Sequence, residues 1–514
     1  MQNDSSKIPV LIAGAGPTGL VLAISLARRG IPFRLIDDDA GPGEHSRAMV
    51  VQARTLEFYQ QFGFAREMIA EGVRMERAHL RYGDDTDAGR ELASLSFKEV
   101  GQGLSPFPFV LAYPQDDHER FLVAKLTEAG ARVEWSTKLT SFTRSDAGVV
   151  ATVTRADGST EQIEADYLCG CDGAHSVVRQ TLGIGFPGGT YSQLHYVADV
   201  RVAAGFVPDL YINLGNDEFV LMLPVRSRGV QRLIGLVPPG LRDRPNVTFD
   251  DLRAHIEPLV DQHVTEVNWF ATYRVHHRVA EHFRVGRAFL LGDAGHIHSP
   301  AGGQGMNTGI GDAINLGWKL AMVIEERASE ALLDTYETER IEFARQLVST
   351  TDRLFTAVVA GGLAGTVVRR FVMPLLFTIG TSVPVGRRAM FRLLSQIEID
   401  YEDSALSDGE AGRVASGDRL PWVSDLAPDN FAPLESLGWQ AHVYGAPAPA
   451  VTDTCTALGV PLHTFAWTDG AKKVGLEENA VYLIRPDGYV GLAAAADDAN
   501  ALREYARAHE LRFG

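Results

Sequence analysis

The stretch IPVLIAGAGPTGLVLAISLARRGIPFRLID, residues 8–37, changes its pattern twice. Residues 8–13 are apolar and short enough for a buried strand, and the apolar residues that follow Gly19 continue as a helix ending at Gly30. FRLID has the composition of a second strand and finishes in Asp37. The stretch therefore predicts a β-α-β unit at the start of an α/β domain.

Three glycines in this stretch, Gly14, Gly16 and Gly19, are spaced as G-x-G-x-x-G. In a dinucleotide-binding turn the first allows the tight turn, the second lets a pyrophosphate approach the backbone, and the third lets helix and strand pack closely. Asp37 stands where a carboxylate accepts a hydrogen bond from a ribose hydroxyl. The pattern predicts a dinucleotide site without distinguishing FAD from NAD. The alternative is a glycine-rich turn in an unrelated α/β domain.

Two later apolar strands also end in an acid. ADYLCGCDG finishes in Asp172 and Gly173, and RAFLLGDAG contains Gly292 and Asp293. Open α/β sheets bind ligands at the carboxyl ends of their strands, so both acids are candidate ligand contacts. Taken separately, each could equally be an ordinary aspartate in a turn.

A glycine-rich segment precedes a helical pattern in PAGGQGMNTGIGDAINLGWKLA, residues 300–321. Apolar residues recur at helical spacing from Met306 onwards, whereas the segment around Gly303 and Gly305 contains no Asp or Glu. A helix start carries unpaired N–H groups and partial positive charge. We therefore expect this helix start to face a negatively charged group.

Together, GAGPTG, CDGAHSVVR and GDAGHIHSPAGGQGMNTGIGDAINLGWKLA resemble the motifs of the single-component FAD-dependent aromatic hydroxylases. These flavoprotein monooxygenases are typified by p-hydroxybenzoate hydroxylase and phenol hydroxylase. The resemblance extends from about residue 8 to residue 345, and the phenol hydroxylase branch fits best. It implies that the negative group at the helix start is the reduced flavin, whose charge spreads over N1 and the C2 carbonyl.

The resemblance also implies which residues hold the cofactor. The implied contacts are Gly14, Gly16, Gly19 and Asp37 for the ADP half, Arg47 for the phosphate region, Gln115 and Asp293 for the ribityl chain, and Pro300 with the loop glycines Gly303 and Gly305 for the flavin ring. Asp172 and Gly173 belong to a segment associated with both FAD and NADPH function, and the further expected cofactor contacts are Pro17, Gly292, Met306 and Asn307.

The fold implied by the resemblance is α/β, with a Rossmann-like FAD-binding domain of the glutathione-reductase type. We expect this discontinuous domain over residues 1–185 and 276–345, with an inserted antiparallel-sheet substrate domain over 186–275. A helical segment, 346–405, and a thioredoxin-like C-terminal domain, 406–514, follow. The last domain lacks C-x-x-C, so a structural or dimer-contact role is expected rather than disulfide exchange.

The family chemistry implies a cycle in which NADPH or NADH reduces FAD and the flavin reacts with O₂. The resulting C4a-hydroperoxide transfers a hydroxyl group to an aromatic, usually phenolic, ring. The chain carries one dinucleotide fingerprint, which predicts that the nicotinamide has no Rossmann domain of its own and binds transiently.

Three side chains are candidates for activating the substrate. Tyr273 is the first, because a tyrosine of phenol hydroxylase precedes the segment that leads into the Gly-Asp strand; Tyr211 and His276 are the others. The alternative for each is a packed side chain with a satisfied polar group.

A metal site is not expected. His296 and His298 lie two residues apart with no third ligand at a familiar spacing. Cys169 and Cys171 lie in a strand-like run without a second pair, and Cys455 stands alone, so we expect buried structural thiols in a reducing compartment.

The composition is that of an ordinary globular protein, with 45% hydrophobic and 22% charged residues. A net charge of −17 argues against nucleic-acid and anionic-membrane partners. Glycines, a proline and arginines interrupt the two longest apolar regions, and MQNDSSK lacks the basic start of a signal peptide. We expect a cytoplasmic protein and, from the family, a homodimer.

Two rival functions remain. One is a flavin-dependent reductase or halogenase on the same fold, although the W-x-W-x-I-P segment of such halogenases is absent from the sequence. The other is a non-catalytic FAD-binding or interaction protein in which the C-terminal region is the functional part. Oxidation of NADPH stimulated by an aromatic ligand distinguishes an enzyme from the latter.

Overall fold

The computed structural model describes residues 7–44, 48–84, 87–215, 218–242, 244–299, 303–359, 368, 372, 375 and 384–513. Two of the expected FAD contacts, Arg47 and Pro300, lie outside the described residues.

The described strands are numbered in chain order. They are β1 (Ile8–Ala13), β2 (Phe33–Ile36), β3 (Val50–Val51), β4 (Val73–Met75), β5 (Arg77–Asp84), β6 (Asp87–Ser96), β7 (Val110–Ala112), β8 (Val133–Glu134), β9 (Thr137–Ser145), β10 (Gly148–Arg155), β11 (Thr160–Gly170), β12 (Gly188–Val202), β13 (Leu210–Leu214), β14 (Phe219–Val225), β15 (Val230–Leu236), β16 (Val264–Val279), β17 (Arg284–Val285), β18 (Ala288–Leu290), β19 (His296–Ile297), β20 (Glu410–Ala411), β21 (Val414–Ala415), β22 (Gln440–Tyr444), β23 (Leu462–Phe465), β24 (Val481–Ile484) and β25 (Val490–Ala494).

The described α-helices are numbered in the same way. They are α1 (Pro17–Arg28), α2 (Ala53–Gln61), α3 (Ala65–Glu71), α4 (Phe97–Gly101), α5 (Gln115–Glu128), α6 (Val177–Thr181), α7 (Phe249–Val260), α8 (Gly305–Ile324), α9 (Asp334–Val359), α10 (Pro384–Ser395), α11 (Pro449–Leu458), α12 (Asp469–Val474) and α13 (Ala499–Ala508).

The first sheet confirms the predicted β-α-β unit and brings the three motifs together. Its main strand order is β17-β18-β11-β1-β2-β8, and β1 runs parallel to both β2 and β11, as β11 does to β18. The carboxyl ends of β1, β11 and β18 therefore meet at one edge. The glycine fingerprint, Asp172 and Gly292 follow these three strands, so the edge collects segments that are far apart in sequence.

The second sheet has the strand order β19-β16-β12-β15-β14-β13-β5-β6. Strands β12 to β15 and most of β16 fall in the segment expected to form the substrate domain, and β12 pairs antiparallel with both β15 and β16. The sheet also takes in β5 and β6, because β13 runs parallel to β5. It therefore extends beyond the expected range of 186–275 into the segment assigned to the FAD-binding domain.

The two faces of this sheet pack against different elements. We call the face that carries Val197, Leu223 and Ile234 the inner face, because these residues share a core with Met49 and Ala53 of the first half of the chain. The outer face carries side chains such as Tyr196, Val200, Met222 and Leu233, which pack against residues of α7. Alternate residues of a strand point to opposite faces, so a position in the strand determines which environment its side chain meets.

Ion pairs fix the second sheet to α5. Arg232 forms a bidentate pair with Asp199, at 2.6 and 2.8 Å, and both side chains are buried. Arg228, in the turn between β14 and β15, pairs with Asp116 of α5 and with Asp199 at 3.5 Å. Because Asp116 is next to Gln115 in α5, these ion pairs hold the second sheet close to a predicted cofactor residue.

The C-terminal region forms a separate four-stranded sheet of order β23-β22-β24-β25. β22 is parallel to β23 and antiparallel to β24, and β24 is antiparallel to β25. Helices α11 and α12 connect the first three of these strands in chain order, and α13 follows β25. Its core also contains Trp318 and Met322 of α8, so this region packs directly on a helix of the first half of the chain.

Candidate FAD and substrate site

The fingerprint turn has room for a ligand at one of its glycines only. Gly14 has φ +104°, and a Cβ there would lie 2.2 Å from the carbonyl oxygen of Cys171. A Cβ on Gly19 would lie 1.9 Å from the carbonyl oxygen of Gly14, so helix and strand are in direct contact. A Cβ on Gly16 would meet nothing within 4 Å. The first and third glycines are thus needed for packing, whereas the second faces open space.

The start of α1 is bare in the way a phosphate site requires. Gly16 is its N-cap, Pro17 occupies the first turn, and there is neither a side-chain cap nor an acid in that turn. Asp37 accepts a hydrogen bond from the N–H of Ala15 at 2.5 Å, and one from the N–H of Asp39 at 2.8 Å. Partial burial raises the pKa of Asp37 above its ordinary value. This carboxyl lies at the fingerprint turn, as expected.

Gln115 is the first residue of α5 and is held by a buried acid. Its side-chain amide donates to Glu119 at 2.8 Å, and the other carboxylate oxygen of Glu119 accepts from the N–H of Gly43 at 3.0 Å. Burial raises the pKa of Glu119. Sequence reasoning named Gln115 but not Glu119, which fixes the loop that follows β2 against α5.

Asp172 and Gly173 form the turn after β11. One carboxylate oxygen of Asp172 accepts from the N–H of Val178 at 3.1 Å, and the other is buried with no hydrogen-bond partner in the described part of the chain. Burial raises the pKa of this carboxyl. Arg179 donates to the carbonyl oxygens of Ala174 and Ala294, at 2.8 and 2.9 Å. It thereby joins the turn after β11 to the turn after β18.

Gly292 and Asp293 lie in a single 3-10 turn, Gly292–Ala294. Gly292 has φ +58°, and a Cβ there would lie 2.7 Å from Oγ1 of Thr18 on α1. Asp293 is solvent-exposed on one side and makes no side-chain hydrogen bond to another described residue. Loss of hydration on its protein side raises the pKa of Asp293. The strand end therefore presents a carboxylate to which no described residue donates a side-chain hydrogen bond.

Helix α8 begins beside this turn. Gly303 has φ +64°, and the helix starts at Gly305 with no acid in its first turn and no side-chain cap. The first intrahelical bond joins the N–H of Thr308 to the carbonyl oxygen of Gln304 at 2.9 Å. The N–H groups of Gly305, Met306 and Asn307 thus have no intrahelical partner.

Asn307 serves the fold with its side chain. Its Nδ2 donates to the carbonyl oxygens of Val50 and Gly303, at 2.9 and 2.8 Å. Its Oδ1 accepts from the N–H of Gln52 at 2.9 Å and from Oγ1 of Thr55 at 2.8 Å. This amide is fully used, so a cofactor contact from Asn307 is left to its backbone N–H.

The two histidines before α8 are internal side chains. Nε2 of His296 lies 2.8 Å from the buried carboxylate of Asp312, and the ring of His298 lies nearly parallel to that of His296 at 6.1 Å. Burial lowers the pKa of His298 to about 4. Among the described residues, no three His, Cys, Asp or Glu side chains form a group that could hold a metal ion. Cys169, Cys171 and Cys455 are free thiols.

The second sheet separates the three candidate activators. Tyr273 is half-buried and packs in the inner-face core, with its ring 5.6 Å from that of His195. Tyr211 packs with the outer-face core and stacks on His79 at 4.6 Å. His276 is exposed, with Nδ1 2.7 Å from Oγ1 of Thr190. The structure therefore does not bring Tyr211 or His276 to the face that holds Tyr273.

His195 is the polar neighbour that sequence reasoning missed. It lies directly opposite Tyr273 in the pairing of β12 with β16 and is fully buried. Burial lowers its pKa to about 4, so the imidazole is neutral at neutral pH. The sequence held no signal for this contact, because the register of two strands some 80 residues apart decides it.

Comparison with known proteins agrees with this architecture. A family model for the FAD binding domain matches residues 7–351. The chain is 33% identical over 506 residues to a flavin-dependent monooxygenase of Mycobacteroides abscessus, covering 94% of this chain and 96% of that protein. It is 37% identical over 430 residues to the 6-methylpretetramide 4-monooxygenase of Streptomyces rimosus, covering 80% and 74%. The solved structure of the OxyS anhydrotetracycline hydroxylase of S. rimosus aligns with a TM-score of 0.76 at 29% identity over 98% of each chain.

An edge of parallel strands with a bare helix start is typical of dinucleotide-binding proteins, and the comparisons identify the class of enzyme. The chain belongs to the FAD-binding family of flavin-dependent aromatic monooxygenases. It is an FAD-dependent enzyme that acts on an aromatic small molecule with O₂, as the resemblance predicted. No helix within the described ranges is long and apolar enough to cross a membrane.

Proposed function

We propose that this enzyme hydroxylates a phenolic ring and binds FAD where the ends of β1, β11 and β18 meet the start of α8. The observation that carries the proposal is the pair formed by Asp293 and α8. A carboxylate that makes no side-chain hydrogen bond to another described residue lies beside a helix start whose first turn contains no acid.

The residues of this edge fit the parts of FAD. The open space at Gly16 and the bare start of α1 suit the pyrophosphate, and Asp37 suits a ribose hydroxyl. Gln115 and Asp293 offer polar groups to the ribityl hydroxyls. The N–H groups at the start of α8, which have no intrahelical partner, suit the negatively charged end of the reduced flavin ring.

Bound FAD supplies the redox chemistry, taking a hydride from NADPH or NADH and delivering one oxygen atom of O₂. The chain's own groups bind and orient. The N–H groups of α8 stabilise negative charge because no side chain in the first turn competes for them. The half-buried apolar side chains Leu221, Trp269 and Ala271 on the inner face limit the access of water to the substrate.

The inner face of the second sheet is the proposed substrate surface. Tyr273 lies on it among apolar neighbours, and its hydroxyl is the group we assign to the substrate phenol. By analogy with the 6-methylpretetramide and anhydrotetracycline enzymes named above, a tetracycline-like phenol is the substrate class that we propose to test first.

The C-terminal region is proposed to be thioredoxin-like. Its β-α-β-α-β-β-α order and the parallel pair of β22 with the edge strand β23 support this assignment. Cys455 is a lone buried thiol, and burial raises its pKa, so this region contributes no redox pair.

Oxygen uptake by the FAD-loaded protein tests the function. NADPH and NADH would each be supplied with hydroxybenzoates, simple phenols and polycyclic phenols, and the products analysed by mass. A ligand that speeds uptake and gains one oxygen atom establishes the hydroxylase and its substrate class. NADPH oxidation with no oxygenated product from any ligand would favour a reductase instead.

A further inference from the structure

Asp312 is a buried carboxylate behind the proposed cofactor site. It lies on α8, seven positions beyond Gly305, and is fully buried. Oδ2 accepts from the N–H of Gly292 at 2.9 Å and lies 2.8 Å from Nε2 of His296, while Oδ1 accepts from Nε of Arg340 at 2.7 Å. A helix residue thus holds the first N–H group of the turn that carries Asp293.

The carboxylate at this position stays ionised. Burial opposes ionisation, but the guanidinium of Arg340 and the imidazole of His296 outweigh it, so the pKa of Asp312 lies below its ordinary value. An ionised carboxylate only accepts hydrogen bonds, so Nε2 of His296 carries the proton. All three partners of Asp312 are therefore donors.

Arg340 braces the acid from α9. Its Nη2 donates to the carbonyl oxygen of Thr308 at 3.1 Å, and its Nη1 donates to the hydroxyl of Tyr401 at 3.0 Å. The helix packs closely on the turn, since a Cβ on Gly309 would lie 3.1 Å from Cα of Gly292. The turn therefore has one position relative to α8, and Asp312 is its only charged link to that helix within the described residues.

We propose that Asp312 is a positioning residue, which acts through the N–H of Gly292 to hold the carboxylate of Asp293 where the cofactor's ribityl chain binds. The inference rests on the proposed FAD site. Asp312 itself touches neither cofactor nor substrate, and its contribution to binding passes through Asp293.

A double-mutant cycle on FAD affinity tests this inference. Asp312→Asn has the same shape but turns an amide N–H₂ toward groups that are all donors. We expect Asp312→Asn and Asp293→Ala each to weaken FAD binding roughly threefold to tenfold, in the range of one hydrogen bond. Because both act on the same contact, the double variant should bind FAD within about twofold of Asp293→Ala. The measurement is fluorescence titration of the deflavinated full-length chain, with the visible spectrum of bound FAD recorded for each variant.

Asn315→Ala is the matched control, since it removes a buried hydrogen bond to Glu339 about one turn further along α8. Its effect on FAD affinity should multiply with that of Asp293→Ala. Multiplying effects of Asp312→Asn and Asp293→Ala, or an unchanged affinity in Asp312→Asn, would overturn the positioning role alone. An unchanged affinity in Asp293→Ala would overturn the proposed site, and the inference with it.

Arg340→Lys carries the same cycle if Asp312→Asn does not fold. It keeps a cation beside Asp312 but removes the planar fork that also holds Thr308 and Tyr401. We expect a roughly twofold loss of FAD affinity that disappears in the Asp293→Ala background. A loss that persists there overturns the inference.

Discussion

The two ends of α8 present opposite chemical situations. At its start, the N–H groups of Gly305, Met306 and Asn307 have no intrahelical partner, and the neighbouring Asp293 makes no side-chain hydrogen bond to a described residue. Near its other end, Trp318 and Lys319 are fully buried in a network of charges. We call the start of α8, where these polar groups have no partner among the described residues, the open end. We call the region around Trp318 and Lys319, where the charges are paired, the closed end.

The closed end is built with the C-terminal region. Lys319 lies 2.7 Å from Glu339 of α9, and Arg485 donates to both oxygens of Glu339 at 2.8 and 2.9 Å. Nε1 of Trp318 donates to Asp487 at 3.0 Å. Buried charges persist where partners are complete, so this network is structural. A helix start whose N–H groups lack intrahelical partners and whose first turn has no acid is suited to an anionic ligand instead.

Breaking the closed end should have the largest effect. Glu339→Gln leaves Lys319 and Arg485 buried without their shared counter-charge. We expect a loss of about 3–5 kcal/mol in the free energy of unfolding, the usual cost of removing one partner from a buried pair. Urea unfolding monitored by tryptophan fluorescence measures it. Glu266→Gln, which removes the exposed pair with Arg201, should change stability by less than about 0.5 kcal/mol. Equal losses in the two variants would contradict the argument.

A side chain placed in the open space at Gly16 should weaken FAD binding without destabilising the fold. A side chain at Gly16 meets no protein atom within 4 Å, so Gly16→Val should leave the unfolding midpoint of the deflavinated chain unchanged. It occupies the space assigned to the pyrophosphate, so FAD binding should weaken by about 1–3 kcal/mol, or roughly fivefold to 150-fold. Gly240→Val is the control, because its Cβ also meets open space but lies far from the fingerprint in sequence. Normal FAD affinity in Gly16→Val would remove this turn from the site.

The carboxylates near the two ends of α8 should become protonated at different pH values. Burial of its surroundings raises the pKa of Asp293, whereas the cations of Arg485 and Lys319 overcome burial and hold the pKa of Glu339 well below its ordinary value. Asp293 therefore loses its charge first as the pH falls, and Glu339 remains ionised and stabilising. Its stabilising contribution is complete above its unfolded pKa and is lost only at lower pH.

We expect FAD affinity to decline as the pH falls, beginning above the ordinary aspartate pKa, while far-UV circular dichroism stays constant. Asp293→Asn should remove part of that decline, since an amide does not titrate, whereas Asp37, whose pKa is also raised, still does. A decline of the same size in Asp293→Asn would assign the pH dependence to another group.

The sequence predicted the parts of the molecule that are local. Gly14 and Gly19 are glycines because any Cβ would collide with backbone, and their spacing alone indicated the turn. The acid-free start of α8 was equally visible. The strand pairing could not be predicted from the sequence, because β5 joins the second sheet through a parallel partner, β13, more than 100 residues away.

The missed functional residues share that cause. His195, Glu119, Asp312 and Arg340 are ordinary polar residues in helix or strand patterns, and only tertiary contacts give them a role. The positions of the candidate activators also depend on tertiary contacts that the sequence does not show. Tyr211 and Tyr273 look alike in sequence, and the sheet register sends them to opposite faces.

The smallest expected effect is on the coupling of NADPH oxidation to hydroxylation, and it depends on which face of the second sheet carries the tyrosine. Tyr273→Phe removes one hydroxyl from the inner face, and the loss should be about 0.5–1.5 kcal/mol, a roughly twofold to tenfold fall in product formed per NADPH consumed. Tyr211→Phe removes the same atom from the outer face and should leave this coupling ratio unchanged. FAD affinity should be the same in both variants, because neither tyrosine lies on the edge that holds the cofactor. Equal coupling in Tyr273→Phe and the unaltered enzyme would assign phenol activation to another group on the inner face, with His195, next to Tyr273, as the first residue to substitute.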